Sequence, residues 1–295
     1  MKFGALRYNC HNLGDEIQTL AAMQFLPRVD YWVNRDAVSD FRPADPDEKV
    51  ALITNGWFSW NARKWPPPDC VIPLLISLCI CQSRRHPFHP LASKEMTSKK
   101  SVEFFRKHEP VGCRDIATLE LLNKFQVRAY FSGCLTLSFE EDLRARTDEI
   151  CVVDPCVPFG RIRSWLPQTS RQHLQPISHF TWIHDNISKK MQMAKSLLER
   201  YARARLVITS RLHCALPAMT MGTPALFIIP KREAARFLGY EEILEMRTPE
   251  EACRTLGDIQ SILPSFESKK GAIKSCRDKL RATCASFINS VKDKG

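Results

Sequence analysis

The sequence predicts an α/β protein of two Rossmann-like domains facing a cleft, followed by a C-terminal amphipathic helix. Three observations carry this expectation. Short β-like runs alternate with helical runs along most of the chain, as in parallel sheets joined by crossover helices. The two halves share a strand–loop–helix rhythm without any internal sequence repeat. A charged stretch, EEDLRARTDE at 140–149, separates them. The expected domains are therefore 1–145 and 146–265, with a basic helix over 266–295, and a chain of 295 residues is long enough for two cores.

The elements follow in order. MKFGALRY reads as a first strand, NCHNLGDE as a loop, and IQTLAAMQFL as a helix ended by Pro27. YWVN and VALITN are further strands, and VIPLLISLCI, apolar on both faces, suits a central parallel strand. PVGC leads through Arg114 and Asp115 into the helix IATLELLNKF, with Asp115 as N-cap, and VRAYFSG is the next strand. The second series begins near EICVVDP. Its helix, ISKKMQMAKSLLERYARA, carries Ile187, Met191, Ala194, Leu198 and Tyr201 on one stripe. RLVITS is a strand, RLHCALPAMTM a helix closed by Gly222, and PALFII a strand. From Gly271 to Val291 the tail is amphipathic through Ile273, Cys276, Leu280, Cys284, Phe287 and Val291.

Composition narrows the class. The N-terminus has no apolar core of signal-peptide length, and the longest apolar run, Cys70 to Cys81, is too short for a bilayer and contains Pro73. The expectation is a cytoplasmic, unanchored protein. Its 12 cysteines are scattered without a CxxC pair, which suits free buried thiols rather than disulfides. Cys79, Cys81, His86 and His89 have poor spacing for zinc, so no metal is expected. The net charge of +11 resides in two segments: residues 84–107 carry +5 and residues 269–295 carry +6. A solvated face is the leading reading of both. Attraction to anionic substrates, or peripheral association of the basic tail with a membrane, comes second, and no nucleic-acid partner is expected.

Ligands in open α/β sheets bind beyond the carboxyl ends of strands, beside helix N-termini that favour anions. Three junctions put unusual residues there. Arg211 and His213 follow RLVITS in an otherwise apolar segment, with Thr209 or Ser210 as cap. Burying either group without a partner is costly, so the choice lies between an anion site and an interdomain salt bridge with a satisfied core histidine. Pro217, lacking an N–H, deprives the His213 carbonyl of its helical partner. Arg114 in GCRD holds the corresponding place in the first half, and two arginines, one per domain, suit bidentate clamping of a dianion. In NLGDE, Asn12, Gly14 and Asp15 lie between the first strand and its helix. Asp15 reads either as an N-cap or as a group accepting a proton from a sugar hydroxyl.

At these blocks the chain resembles the polysaccharide pyruvyltransferase family. The resemblance is carried, in order, by NLGDEIQTLAAMQFLPRVDYWVNRD, TNGWFSWNARKWPPPDCVIPLLIS, PVGCRDIATLELLNKF, YFSGCLTLSF and ARLVITSRLHCALPAMTMGTPALFI, with RFLGY (Arg236 to Tyr240) as a later fit. It implies a GT-B-like fold, with an acceptor side in the first domain and a donor anion site in the second. It implies transfer of a pyruvyl group from phosphoenolpyruvate to two hydroxyls of a saccharide acceptor, nucleotide- or lipid-linked acceptors included. The product is a cyclic ketal, phosphate is released, and no cofactor is needed. On this reading His213 and Asp15 are catalytic, His213 as proton donor. Arg114, Arg211, Ser210, Asn12, Gly14, Asn55 and Arg236 bind substrate. One departure stands out: family members carry histidine in a Ser-Phe-His pattern where this chain reads Ser77-Leu78-Cys79. Two alternatives stay open: a GT-B glycosyltransferase using a nucleotide sugar, and a saccharide- or anion-binding protein with reduced turnover.

Overall fold

The β-branched and aliphatic runs form eleven strands among the described residues, and their alternation with helices gives two parallel sheets. The computed structural model describes residues 1–81, 89–230 and 237–292, the side chains of 89–91 excepted. The chain divides into two compact units. The first comprises residues 1–10, 18–135 and 279–295, and the second 11–17 and 136–278.

The first unit holds a six-stranded sheet of order β2-β1-β3-β4-β5-β6. Its strands are β1 (Lys2–Arg7), β2 (Tyr31–Asn34), β3 (Val50–Trp57), β4 (Val71–Cys79), β5 (Val111–Cys113) and β6 (Ala129–Phe131). All pairs are parallel. As its two-sided apolarity predicts, β4 lies inside the sheet. Pro73 is tolerated there because β4 meets β5 only at Leu78 and Cys113, so the proline interrupts no bond to β5. The core gathers Leu6, Val33, Leu52, Leu75, Leu78, Val111 and Leu122. Helix α1 (Leu13–Met23) follows β1, and α2 (His89–Met96) and α3 (Lys99–Lys107) follow β4. Helix α4 (Ile116–Lys124) starts, as expected, on Asp115, whose carboxylate accepts the Thr118 N–H.

The second unit holds a five-stranded parallel sheet of order β11-β10-β9-β7-β8. Its strands are β7 (Ile150–Val153), β8 (Leu174–Ile177), β9 (Leu206–Thr209), β10 (Ala225–Ile228) and β11 (Glu245–Arg247). Helices α5 (Phe159–Trp165), α6 (Ile187–Arg203) and α7 (Leu212–Thr220) connect β7 to β10 in turn, and α8 (Pro249–Gly257) follows β11. The α6 stripe buries Met191, Ala194, Leu198 and Tyr201 as expected, together with Lys190. In α9 (Ile262–Lys292) the periodic positions Ile273, Leu280, Cys284 and Val291 are buried. Ile288, rather than its neighbour Phe287, completes that stripe.

This division differs from the domains read from the sequence. The chain joins the second unit already at Thr136, because the following segment bonds to α6 and α7: Thr220 Oγ1 donates to the Leu137 carbonyl at 2.9 Å, and the Thr147 N–H to the Arg203 carbonyl at 2.7 Å. Residues 266–295 are not a body of their own, since α9 is one continuous helix beginning at Ile262. Most consequentially, His11–Ile17 belongs to the second unit. Among the described residues no helix is long and apolar enough to cross a membrane.

Candidate active site

Three adjacent strands of the second unit, β8, β7 and β9, end in a histidine, a carboxylate and an arginine. Asp154 follows β7, His179 lies two residues past β8, and Arg211 lies two residues past β9. This is the carboxyl edge at which open parallel sheets bind ligands. Asp154 holds the left-handed backbone conformation, with φ of 38°. For a residue with a Cβ that conformation is strained and is kept only where its surroundings fix it. The fixing contacts are visible: one carboxylate oxygen accepts the His179 N–H at 2.9 Å and Arg211 Nε–H at 3.2 Å.

The β9–α7 junction is built differently from the sequence expectation. Neither Thr209 nor Ser210 caps α7; Arg211 itself holds the N-cap position, without a side-chain cap. Thr209 Oγ1 accepts the Arg211 N–H at 2.9 Å and donates to the Val153 carbonyl. Ser210 Oγ donates to the Ile228 carbonyl at 2.7 Å and accepts the Cys156 N–H at 2.9 Å. Both hydroxyls are thus used to lock β9 against its neighbours. That aims Arg211, whose side chain is 49% exposed, outwards from the sheet edge.

The loop His11–Ile17 completes the cluster. The Leu13 N–H donates to the His179 carbonyl at 2.8 Å, and Asn12 forms a β-bridge with Phe180. Asn12 Oδ1 accepts the Gly14 N–H at 3.2 Å, turning the chain into α1. Gly14 leaves little room for a side chain: a Cβ there would stand 3.2 Å from His213 Nδ1 and 3.3 Å from His179 Nδ1. The start of α1 therefore lies against two imidazoles. Asp15, in the first turn of α1, is buried. Glu16 pairs with Lys190 of α6 at 2.6 Å, both side chains at most 3% exposed. Burial raises the Glu16 carboxyl to about 7, against the opposing pull of Lys190.

His179 is fully buried, and burial lowers its imidazole to about 4, so it is neutral at pH 7. Its Nε2 lies 2.8 Å from the hydroxyl of Tyr201, itself raised by burial, while its buried Nδ1 has no hydrogen-bond partner among the described residues. The site thus presents the exposed guanidinium of Arg211 beside neutral His179 and the half-buried ring of His213. That arrangement suits an anion near a proton-transfer group.

A model of the polysaccharide pyruvyl transferase family matches residues 12–232. The chain belongs to this family. Among solved structures, protein KP1_0663 of Klebsiella pneumoniae subsp. pneumoniae NTUH-K2044, described as functionally uncharacterised, is similar at 13% identity and a TM-score of 0.47, covering 84% of this chain and 92% of that chain. A variant of the wall teichoic acid polymerase TagF is similar at 8% identity and a TM-score of 0.49, covering 99% of this chain and 90% of that chain. No curated protein matched.

Of the site residues expected for this transferase family, Asn12, Gly14, Asp15, Ser210, Arg211 and His213 all fall in the second unit. Arg114 and Asn55 fall in the first. There, Arg114 is 6% exposed, with Nε 4.0 Å from Asp115. Asn55 Nδ2 donates to the Gln18 carbonyl at 3.0 Å, tying β3 to α1. Arg236 lies outside the described residues, as does His86, whereas Cys79 is buried at the end of β4. Among the described residues no group of three or more His, Cys, Asp or Glu is placed to hold a metal ion. Asp154, His179 and Tyr201 were not expected. The strand-end rule that selects Arg211 also reaches the position of Asp154, directly after β7, whereas His179 could be reached only through β8, which is not legible in the sequence, and Tyr201 reads simply as part of the α6 stripe.

Proposed function

We propose that the chain transfers the pyruvyl group of phosphoenolpyruvate to two hydroxyls of a saccharide acceptor, forming a cyclic ketal and releasing phosphate. The observation that supports this most is Arg211, held by Asp154 at the sheet edge with His213 two residues on and Gly14 packed against that imidazole. The donor carries both a phosphate and a carboxylate, and a fork of guanidinium N–H groups suits either. His179, kept neutral, adds no positive charge beside Arg211.

In the proposed reaction His213 gives a proton to the donor methylene carbon, leaving cationic character at C2. The first acceptor hydroxyl attacks C2 and loses its proton, which this reading gives to Asp15. The C2–O bond to phosphate then breaks, and the second hydroxyl closes the ketal. Two hydroxyl protons are released overall: one replaces that given to the methyl group, and the other leaves with phosphate.

Isothermal calorimetry of phosphoenolpyruvate against the protein and its Arg211→Ala variant tests the donor site. Binding to the first and at least tenfold weaker binding to the second is the expected result. Equal binding to both refutes the assignment of Arg211. A nucleotide sugar that binds in an Arg211-dependent manner where phosphoenolpyruvate does not would replace this reading with that of a glycosyltransferase.

A further inference from the structure

The second unit also carries an aromatic surface beside this site that donor chemistry does not use. Phe180 and Trp182, in the segment after β8, are 47% and 81% exposed. Their rings meet edge to face with centroids 4.8 Å apart, and His11 stacks on Phe180 at 5.0 Å and an interplanar angle of 19°. His184 closes on His11 at 3.9 Å. The cluster is held by backbone: the Thr181 N–H donates to the His11 carbonyl at 2.8 Å, and His11 Nδ1–H donates to the Thr181 carbonyl at 2.7 Å. The Ile183 N–H donates to Thr181 Oγ1 at 3.1 Å. Tryptophan is costly to leave in water, and aromatic surface kept exposed in a fixed geometry marks a recognition site.

We propose that Trp182, the more exposed of the two, stacks on a pyranose ring of the acceptor, with Phe180 standing at right angles beside it as the side wall of the platform. Three features select that occupant. First, the platform is continuous with the donor site: Phe180 bridges Asn12, whose side chain holds Gly14, and His179 directly precedes Phe180. An acceptor must reach C2 of the donor, so its ring belongs next to that loop. Second, the patch is amphipathic, with His184, Asp185 and Asn186 exposed at its edge. A pyranose likewise offers C–H groups on its face, attracted to the electron-rich face of an arene, and hydroxyls around its rim. Third, two aromatic side chains bury roughly 300–500 Å², well short of the ~800 Å² that each partner contributes to a stable protein interface.

The identity of the ligand as an acceptor rests on the proposed transfer; the platform itself does not. The test is saturation-transfer NMR with three probes, the methyl pyranosides of glucose, galactose and N-acetylmannosamine, and with open-chain glucitol as the control lacking a flat face. Trp182→Ala, Trp182→Phe and Phe180→Ala are compared with the unaltered protein, and phosphoenolpyruvate calorimetry is run on each. Expected is transfer to ring C–H protons of at least one pyranoside and none to glucitol. The signal falls at least fivefold in Trp182→Ala and is largely kept in Trp182→Phe, while donor affinity stays within twofold. Transfer that persists in both alanine variants, or equal transfer to glucitol, overturns the platform even if the donor binds normally. Trp182-dependent transfer without donor binding keeps the platform and removes the pyruvyl donor instead. Self-association that is abolished by Trp182→Ala, with no transfer to any pyranoside, also overturns the proposal, because the occupant is then a second copy.

Discussion

Replacing His179 with glutamine removes a proton-binding group while leaving an amide able to meet the Tyr201 hydroxyl where Nε2 now does. The native imidazole titrates at about 4 because burial disfavours its charged form, against 6.5 for an exposed ring. The sign follows from linkage. Above pH 6.5 neither state binds the proton, whereas between 6.5 and 4 the unfolded chain takes it up and the native chain does not. Stability is therefore full above pH 6.5 and is lost as pH falls through that window. A shift of this size removes about 3 kcal/mol by pH 4, with about 2 kcal/mol of it gone at pH 5. Other groups titrate here too, so the informative quantity is the difference between the protein and its variant. Urea unfolding followed by circular dichroism at pH 8, 6.5 and 5 supplies it. At pH 8 the variant should be the less stable, by about 1–2 kcal/mol for altered packing and hydrogen bonding. At pH 5 that gap should close, because glutamine has no proton to exclude. Parallel stability curves from pH 8 to pH 5 would refute the assignment of a buried, neutral His179.

Three further outcomes are expected. Gly14→Ala places a methyl group 3.2 Å from His213 Nδ1. Stability should change by less than about 2 kcal/mol, since the gain in helix propensity opposes the overpacking, while phosphoenolpyruvate affinity in calorimetry falls about tenfold. Lys190→Met strips Glu16 of its counter-ion, raising its carboxyl further above the 4.5 of the unfolded chain, so the variant should lose stability as pH rises from 5 to 8. Adding Glu16→Gln should remove that pH dependence in urea melts. Arg211→Lys should bind the donor nearly as poorly as Arg211→Ala, because an ammonium lacks the bidentate fork.

The legible parts of the molecule were those with strong local signals. Apolarity on both faces announced β4, the four-three spacing announced α6, and Asp115 announced the start of α4. The elements left unread, such as β8 and β11, are short edge strands of three or four residues with few apolar positions. That gap hid His179, because without β8 its histidine has no strand end to belong to. Asp154 was hidden for another reason: its importance lies in a left-handed backbone and a long-range pairing with Arg211, neither of which leaves a local pattern. Lys190 lay in plain view on an apolar stripe, yet its partner Glu16 is 174 residues earlier in the chain. Ser210 shows the reverse: the sequence marks it as a ligand residue, and folding spends its hydroxyl on two backbone groups.

Gly14, Glu16 and the stacked ring of His11 all reach the second unit in one seven-residue piece, His11–Ile17, from the other end of the chain. The second unit of this protein is thus not a transplantable cassette. A fragment starting at Thr136, or a chimera exchanging everything after that residue, would leave behind the helix start that meets both imidazoles and Glu16, the carboxylate that pairs with Lys190. A recombinant that exchanges the second unit has to bring the heptapeptide along with the sheet it packs against.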